Sequence, residues 1–423
     1  MADYHRSDSL EDELREIQRL AAIHRRRKRI RWLIPLCLLV ILLAAGIVWL
    51  VRHSAPKQEP EPETVVSDDA VVRLAFLGDI TLNDDMIRSF RTPEGYDFSP
   101  CFQWVTADLQ AANLTIGNLE GNITDPDAVG DYNYPAALLD ALYLTGVDVL
   151  QTANSCSIQN GITGLVRTSQ EITAAGMAPV GTCESPEQWS ETGSVLIREV
   201  NGIRFAFVAF TKGLNNLRLP EGSEYCVNLL YEDYDTNYKS IAENGIVRVL
   251  DRAKASSPDV IVALVHWGSE YTEEIADSQR QIAQLMLENG VSLIVGTHSH
   301  CVGPIETGES IQTGRYAVAY GLGDFLSVSE GDSFRSGCIL NVSFEKHEER
   351  VTMSGISYSP TFSAYPSEDL ESDSYEVLDS LQAVSHYREN YYIRVSKPLY
   401  EKLVEDLARI DELTGTPELR ERK

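Results

Sequence analysis

Apolar and polar positions along the chain fall into three regimes. Trp32 to Val51 (WLIPLCLLVILLAAGIVWLV) is a 20-residue run with no charged side chain, about what ~30 Å of hydrocarbon demands at ~1.5 Å per residue. Residues 53–70 (HSAPKQEPEPETVVSDDA) are rich in Pro and Glu, which suits an extended spacer. From residue 71 onward, short apolar runs end in polar or glycine residues: VVRLAFLGD (71–79), ANLTIGNLE (112–120), GVDVLQTAN (146–154), RFAFVAFTK (204–212), DVIVALVHWG (259–268), VSLIVGTHSH (291–300) and RYAVAYGLGDF (315–325). Their length and β-branched content predict buried strands. Amphipathic stretches of helical length lie between several of them, at 185–193, 234–256 and 277–290. That alternation predicts a layered α/β domain with a largely parallel central sheet. Two consecutive antiparallel strands are expected at 337–345 and 350–359, and the stretch from Lys397 onward has helical periodicity.

Charge gives the apolar run an orientation. Arg25, Arg26, Arg27, Lys28, Arg29 and Arg31 crowd its N-terminal side, whereas Arg52, Lys57 and then glutamates follow it. The excess of cations on one flank predicts a cytoplasmic N-terminus and an exported remainder. A cleaved signal peptide fits poorly, because the run is too long, begins after thirty polar residues and lacks a small-x-small site. The expected organisation is a basic cytoplasmic tail (1–31), a transmembrane helix (32–51), a linker (52–70), an extracellular α/β domain (71–362) and a partly helical C-terminal extension (363–423). The whole chain carries −27, and its first 31 residues, with nine Lys/Arg and six Asp/Glu, carry +3; the rest therefore carries −30. Such a domain excludes nonspecific binding of nucleic acid. Of seven cysteines, Cys37 falls in the apolar run; Cys101, Cys156, Cys183, Cys226, Cys301 and Cys338 show no CxxC spacing. Export permits disulfides among these six, in any of fifteen pairings.

Candidate chemistry sits where the strands end. Asp79, Glu120, His266 and the pair His298/His300 each lie at or just past the end of an apolar run, the edge at which open α/β sheets bind ligands. Carboxylates and imidazoles are the donors that hold Zn, Mn or Fe, so the reading is a centre for one or two divalent transition-metal ions. His-x-His can direct both rings to one ion or split them between two. Each residue alone is more often a cap or a hydrogen-bonded surface group.

In order and spacing, FLGDI (76–80), GNLEG (117–121), HWGSEY (266–271), GTHSHCVGPIE (296–306) and YGLGDF (320–325) resemble the CapA family of bacterial capsule and poly-gamma-glutamate biosynthesis proteins. The likeness covers roughly residues 70–330. It implies a metallophosphatase-like layered β-sandwich flanked by helices, with Asp79, Glu120, His266, His298 and His300 as metal ligands. One motif departs from the family's ANNHxxDxG. Here Ala153, Asn154, Ser155 and Cys156 stand in its place, with Gln159 for the aspartate. The resemblance makes the missing asparagine a metal ligand and the missing histidine a proton donor, a role typically worth ~10²–10⁴-fold in rate. Cys156 reads either as a buried or disulfide-bonded structural thiol, or as a thiolate ligand or nucleophile. Asp324 replaces the asparagine of the family's YSLGNF.

Three functions are compatible with these residues. The first is an accessory subunit for making, anchoring or exporting an extracellular anionic polymer beside its synthase subunits, with a partly degraded metal site. The second is a metal-dependent hydrolase of phosphoester or amide bonds at the cell surface. The third is a glycan-binding module in which Trp267 and Tyr271 stack on a ring in a pocket that Asn154, Ser155, Cys156 and Asp324 also line.

Overall fold

Neighbouring side chains of a pleated strand face opposite ways, so a strand apolar at nearly every position has to be covered on both faces. In β1 (Asp69–Ile80), Val72, Leu74 and Phe76 enter one buried cluster and Ala75 and Leu77 another. The chain continues through β2 (Leu114–Leu119), β3 (Val149–Gln151) and β4 (Ala178–Val180), all parallel and in the order β1-β2-β3-β4. It then builds a second sheet from β5 (Leu196–Val200), β6 (Ile203–Thr211), β7 (Val260–His266), β8 (Leu293–Thr297), β9 (Ile305–Ser310) and β10 (Gly314–Ala319). The order there is β9-β10-β8-β7-β6-β5, with β6, β7, β8 and β10 parallel. Finally it returns to the first sheet with β11 (Asp324–Leu326), β12 (Ser336–His347), β13 (Arg350–Ala364) and β14 (Glu376–Asp379). β12, β13 and β14 extend that sheet in antiparallel fashion, while β11 pairs parallel with the end of β1. The computed structural model describes residues 69–327, 334–389, 395–415 and 418–419.

The two sheets share a core. Phe205, Phe207 and Ala209 of β6 and Val260, Val262 and Leu264 of β7 join Val72, Leu74 and Phe76 of β1 in one cluster. The outer face of the second sheet is covered by the helices Glu243–Ala255 and Asp277–Glu288. The first presents Ile246, Val249, Leu250 and Ala253 as a stripe at helical spacing. The outer face of the first sheet is covered in part by Ala137–Thr145, through Leu138, Leu139 and Leu142. The result is a layered β-sandwich with flanking helices, each sheet mixed. The single, largely parallel central sheet expected from the alternation is thereby corrected: two parallel cores face one another.

Other expectations shift. The run 315–325 is two strands in different sheets, because residues 320–323 cross between them, with Gly323 in a left-handed conformation (φ +66°). Of 234–256, only Glu243–Ala255 is helical. Asp233 accepts hydrogen bonds from the backbone of Lys239 and Ser240 and folds the preceding stretch into turns. Residues after 362 pack on the domain: β14 pairs with β13, and the helix Lys397–Thr414 buries Leu399, Leu403 and Ile410, with buried Asp406 accepting from Ser336. All six cysteines from Cys101 to Cys338 are buried free thiols, not disulfides. Among the described residues no helix is long and apolar enough to cross a membrane. The basic tail, the apolar run Trp32–Val51 with Cys37, and the linker up to residue 68 lie outside the described residues.

The crossing at 320–323 presses directly on β1. A Cβ on Gly78 would lie 2.0 Å from the Gly323 carbonyl oxygen, a backbone atom that cannot swing away. Gly78→Ala is expected to lower stability by about 1–3 kcal/mol, the usual cost of overpacking. A urea-denaturation midpoint equal to that of the unmodified protein would contradict this account of the crossing.

Candidate metal centre

The strand ends meet. β1 and β2 of one sheet and β7 and β8 of the other all run toward the same edge, and the crossing at 320–323 delivers β11 beside β1, with Asp79 in register with Asp324. Two groups of ligand atoms result, each group within 4.8 Å: Glu120, His266 and His298, and Asp79, His300 and Asp324. All six residues are buried. The structure thus splits His-x-His between two clusters. His298 (φ +89°) and His300 (φ +54°) both occupy the left-handed region, a strained state for non-glycine residues that is stored preferentially at functional sites.

Each ligand is held by its neighbours. Asp79 accepts 2.6 Å from Asn118 Nδ2 and 2.9 Å from the backbone N–H of His298. Asn154 Nδ2 donates to Asn118 Oδ1 at 3.0 Å and to the Leu119 carbonyl at 2.7 Å, so Asn154 orients the residue that orients Asp79. His266 Nε2 lies 3.2 Å from Glu120 Oε1 and 3.0 Å from Ser155 Oγ, while its Nδ1 lies 3.1 Å from Thr297 Oγ1. The hydroxyl of Thr81 donates to Glu120 Oε2 at 3.3 Å. His300 Nδ1 sits 2.8 Å from Asp324 Oδ1 and 3.9 Å from Asp79 Oδ2. Tyr271 stacks on the His300 ring at 5.1 Å.

Burial and mutual charge set the protonation. Burial raises the Asp79 carboxyl above its ordinary range and nearby Glu120 raises it further, against the pull of His300 and His266. Burial also pushes Glu120 upward, but His266, His300 and His298 together outweigh it and hold this carboxyl low. Burial and the neighbouring His266 drive the His298 imidazole well below its usual value. For His300 burial works downward, yet Asp324, Asp79 and Glu120 win and raise it to about 12. The Cys156 thiol is driven well up, chiefly by burial and then by Glu120. It is therefore a neutral thiol, and it belongs to neither cluster.

The donor set fits a divalent ion. Three carboxylates and three imidazoles are desolvated together, and the buried Nδ1 of His298 has no hydrogen-bond partner among the described residues. An unpartnered buried polar atom is uncommon unless something else satisfies it. Ser155 takes the place beside His266 Nε2, and its hydroxyl is a weaker donor than the amide oxygen expected there. Trp267 is a correction. It follows His266, so the period of two turns it to the opposite face. There it is fully buried, packs on Tyr320 at 5.7 Å and donates Nε1–H to the Tyr320 carbonyl. Tyr271 stays half-exposed at the cavity. Sequence reasoning missed Asn118 and Thr297; Asn118, within GNLEG, was signalled by its place one pleat before Glu120.

The His300–Asp324 pair gives a pH signature. With metal stripped by a chelator, His300 keeps its proton in the fold as the unfolded chain loses it above about pH 6.5. Stability is then full below that pH and falls as pH rises toward 12, by up to about 1.4 kcal/mol per pH unit. Urea midpoints at pH 6.5, 7.5 and 8.5 should decline in EDTA, and Asp324→Asn should flatten the decline. Identical slopes for the two proteins would contradict the pairing.

Comparison with known proteins follows from this geometry. Residues 73–329 match the model of the family described as bacterial capsule synthesis protein PGA_cap. The chain is 26% identical over 303 residues to the PGA biosynthesis protein CapA of Bacillus subtilis (strain 168), spanning 68% of this chain and 70% of that protein. It is 23% identical over 301 residues to the capsule biosynthesis protein CapA of Bacillus anthracis, spanning 68% of this chain and 66% of that protein. Among solved structures it is similar to the calcineurin-like phosphoesterase YfkN from Bacillus subtilis, with 11% identity and a TM-score of 0.34 over 69% of this chain and 90% of that one. The family model covers more than half of the 423 residues, and the chain belongs to the bacterial capsule synthesis protein PGA_cap family.

Proposed function

We propose that this chain is a membrane-anchored, extracellular component of capsule or poly-gamma-glutamate biosynthesis that works through a divalent metal centre at the joined edge of its two sheets. The single observation behind the centre is the pair of buried acid–imidazole clusters. Glu120, His266 and His298 would hold one ion, and Asp79, His300 and Asp324 a second. When bound, such ions polarise an acyl or phosphoryl oxygen and lower the pKa of water. The protein's own residues supply the rest: Asn118, Asn154 and Thr297 fix the ligands, and the walls of the cleft orient what enters. The apolar run Trp32–Val51 with its basic flank supports the anchor and the outward orientation.

The same clusters favour a second reading, a metal-dependent hydrolase of a phosphoester or amide bond, in which this centre cuts or trims polymer or precursor. The changes at Ser155 and Cys156 bear on that reading. A neutral buried thiol is a poor proton donor to a leaving group, so hydrolysis here would need a leaving group that departs without strong acid assistance.

Detergent-solubilised full-length protein is expected to carry about one or two Mn, Zn or Fe ions per chain. A His298→Ala/His300→Ala variant should lose them, read by elemental analysis. Equal metal content in the two proteins would sink the centre. Ser155→Asn, which restores an amide beside His266 Nε2, should tighten metal binding by about tenfold, the scale of one added ligand contact. In the producing cell, deletion of the gene should reduce surface polymer; unchanged polymer yield would remove the biosynthetic role.

A further inference from the structure

The two clusters open onto a space of about 800 Å³, which Glu120 and His300 themselves border; that size suits a small-molecule site. Its other charged lining residues are Asp84, Asp85, Asp131 and Glu270, with no Lys or Arg among them. Part of this charge is answered nearby. Arg88 pairs with Asp84, and Glu270 also borders the smaller space beside His298, where it acts on the Lys212 ammonium. Acidity alone is unremarkable in a chain of net charge −27. The aromatic side chains in the same space need another explanation.

Tyr132 is 39% exposed and Tyr271 48%, and both border this space. Of the other Phe, Trp and Tyr side chains described, only Tyr143 is as open, and it lies on the helix Ala137–Thr145. The phenol of Tyr132 makes no ring contact and no hydrogen bond among the described residues. Its backbone is anchored beside the site, where its carbonyl accepts from the Asn122 N–H at 2.8 Å. Tyr271 is tied to the turn that carries both ligand histidines. Its N–H donates to the Ser299 carbonyl at 2.8 Å, and its ring stacks on His300 at 5.1 Å and meets Phe334 at 4.9 Å. Both tyrosines occupy the left-handed region (φ +58° and +57°), an outlying state for bulky residues. Two rings are thus held open beside the metal clusters at a conformational cost.

We propose that Tyr132 and Tyr271 bind a saccharide ring and bring it to the metal centre. A pyranose offers a flat face of C–H bonds to an aromatic ring, and a rim of hydroxyl donors around it. The lining answers that rim with the acceptor-only carboxylates of Asp85, Asp131 and Glu270 and with the amides of Asn83 and Asn215. A nucleobase brings few donors to such a rim. A run of glutamates brings no ring, and it meets these carboxylates with like charge. This rests on the metal-centre reading above for the fate of the bound ring, and it names the class of molecule that the centre handles: the end of a glycan.

Full-length protein, solubilised in a detergent without a sugar headgroup, is titrated calorimetrically with a trimer of N-acetylglucosamine, a trimer of glucose, adenosine and a trimer of glutamate. Binding of the first trimer alone identifies an acetamido sugar, and binding of the glucose trimer a plain hexose. Tyr132→Ala and Tyr271→Ala should each weaken the bound sugar about tenfold, the scale of one lost aromatic contact. Tyr271→Phe, which keeps the ring, should stay within about threefold of the unmodified protein. Melting temperature reports the fold and elemental analysis the metal, and Tyr132→Ala should change neither. Unchanged affinity in either alanine variant, no binding of either sugar trimer, or binding of only adenosine or the glutamate trimer overturns the proposal. If the protein carries metal but binds no sugar, the centre stands and the sugar subsite fails. If it binds sugar through both tyrosines without carrying metal, the subsite stands and the centre fails.

Discussion

Asp79 has no exposed surface, and the architecture around it follows from the need to satisfy a buried carboxylate. Stripping a carboxylate of water costs several kcal/mol even after relaxation, and only well-placed donors and opposite charges offset that. Asp79 draws its donors from both halves of the sandwich: the Asn118 amide from the neighbouring strand of its own sheet, and the His298 backbone N–H from the turn after β8 of the other. It therefore acts as a pin between the two sheets. Glu120 repeats the logic through His266, and Asp324 through His300. Pulled apart, each of these groups would be left as a buried charge without its partner. Without an ion, the carboxylates lean on imidazolium to balance their charge, which is why His300 is held protonated so strongly.

Much of this was legible in the chain, for a physical reason. Strands buried on both faces are almost uniformly apolar, so a polar residue at their end stands out, and Asp79, Glu120, His266, His298 and His300 were all marked in that way. What local pattern cannot carry is which sheet a strand joins. The run RYAVAYGLGDF looks continuous, yet its glycines let the backbone pass between layers, and Asp324 thereby moves from the rim of a pocket to the heart of the second cluster. Trp267 lies in the core, as aromatics in such a segment usually do, because the pleat sends it to the face opposite His266 and away from the pocket. Residues after 362 read as an extension because an antiparallel partner strand is defined by a long-range pairing, here between Thr361–Ala364 and Glu376–Asp379. Asn118 and Thr297 act by orienting other side chains, and no spacing rule marks such residues.

At Ala153–Cys156, where the sequence departs from the pattern it resembles, hydrogen bonds hold the local frame. Asn154 retains a structural task, bonding Asn118 and the Leu119 carbonyl while its Oδ1 accepts from the Cys156 N–H. The Ser155 hydroxyl lies 3.0 Å from His266 Nε2, and the Cys156 thiol receives a weak contact from Asn215. Both side chains are buried, and Ser155 borders the small space beside His298. The Cys156 thiol, kept protonated by burial, offers little acid–base capacity, while the hydrogen bonds around Asn154 support the ligand geometry beside it.

Charge sets the terms on which such a domain could meet an anionic polymer. With −30 on the residues after the basic tail, long-range electrostatics push a polyanion away, and at physiological ionic strength that push fades only beyond about 8 Å. Attraction must come from short-range features strong enough to overcome it. One is on hand in the cleft: the two buried groups of carboxylates and imidazoles, a donor set that suits divalent cations. Divalent ions at the cluster would reverse the local sign of the potential, since a bound cation is the largest charge in such a site. On this reasoning the acidic surface and an anionic partner are compatible only when contact is confined to one group at a time. That condition favours a protein working at the end of a growing or departing chain over one that coats its length.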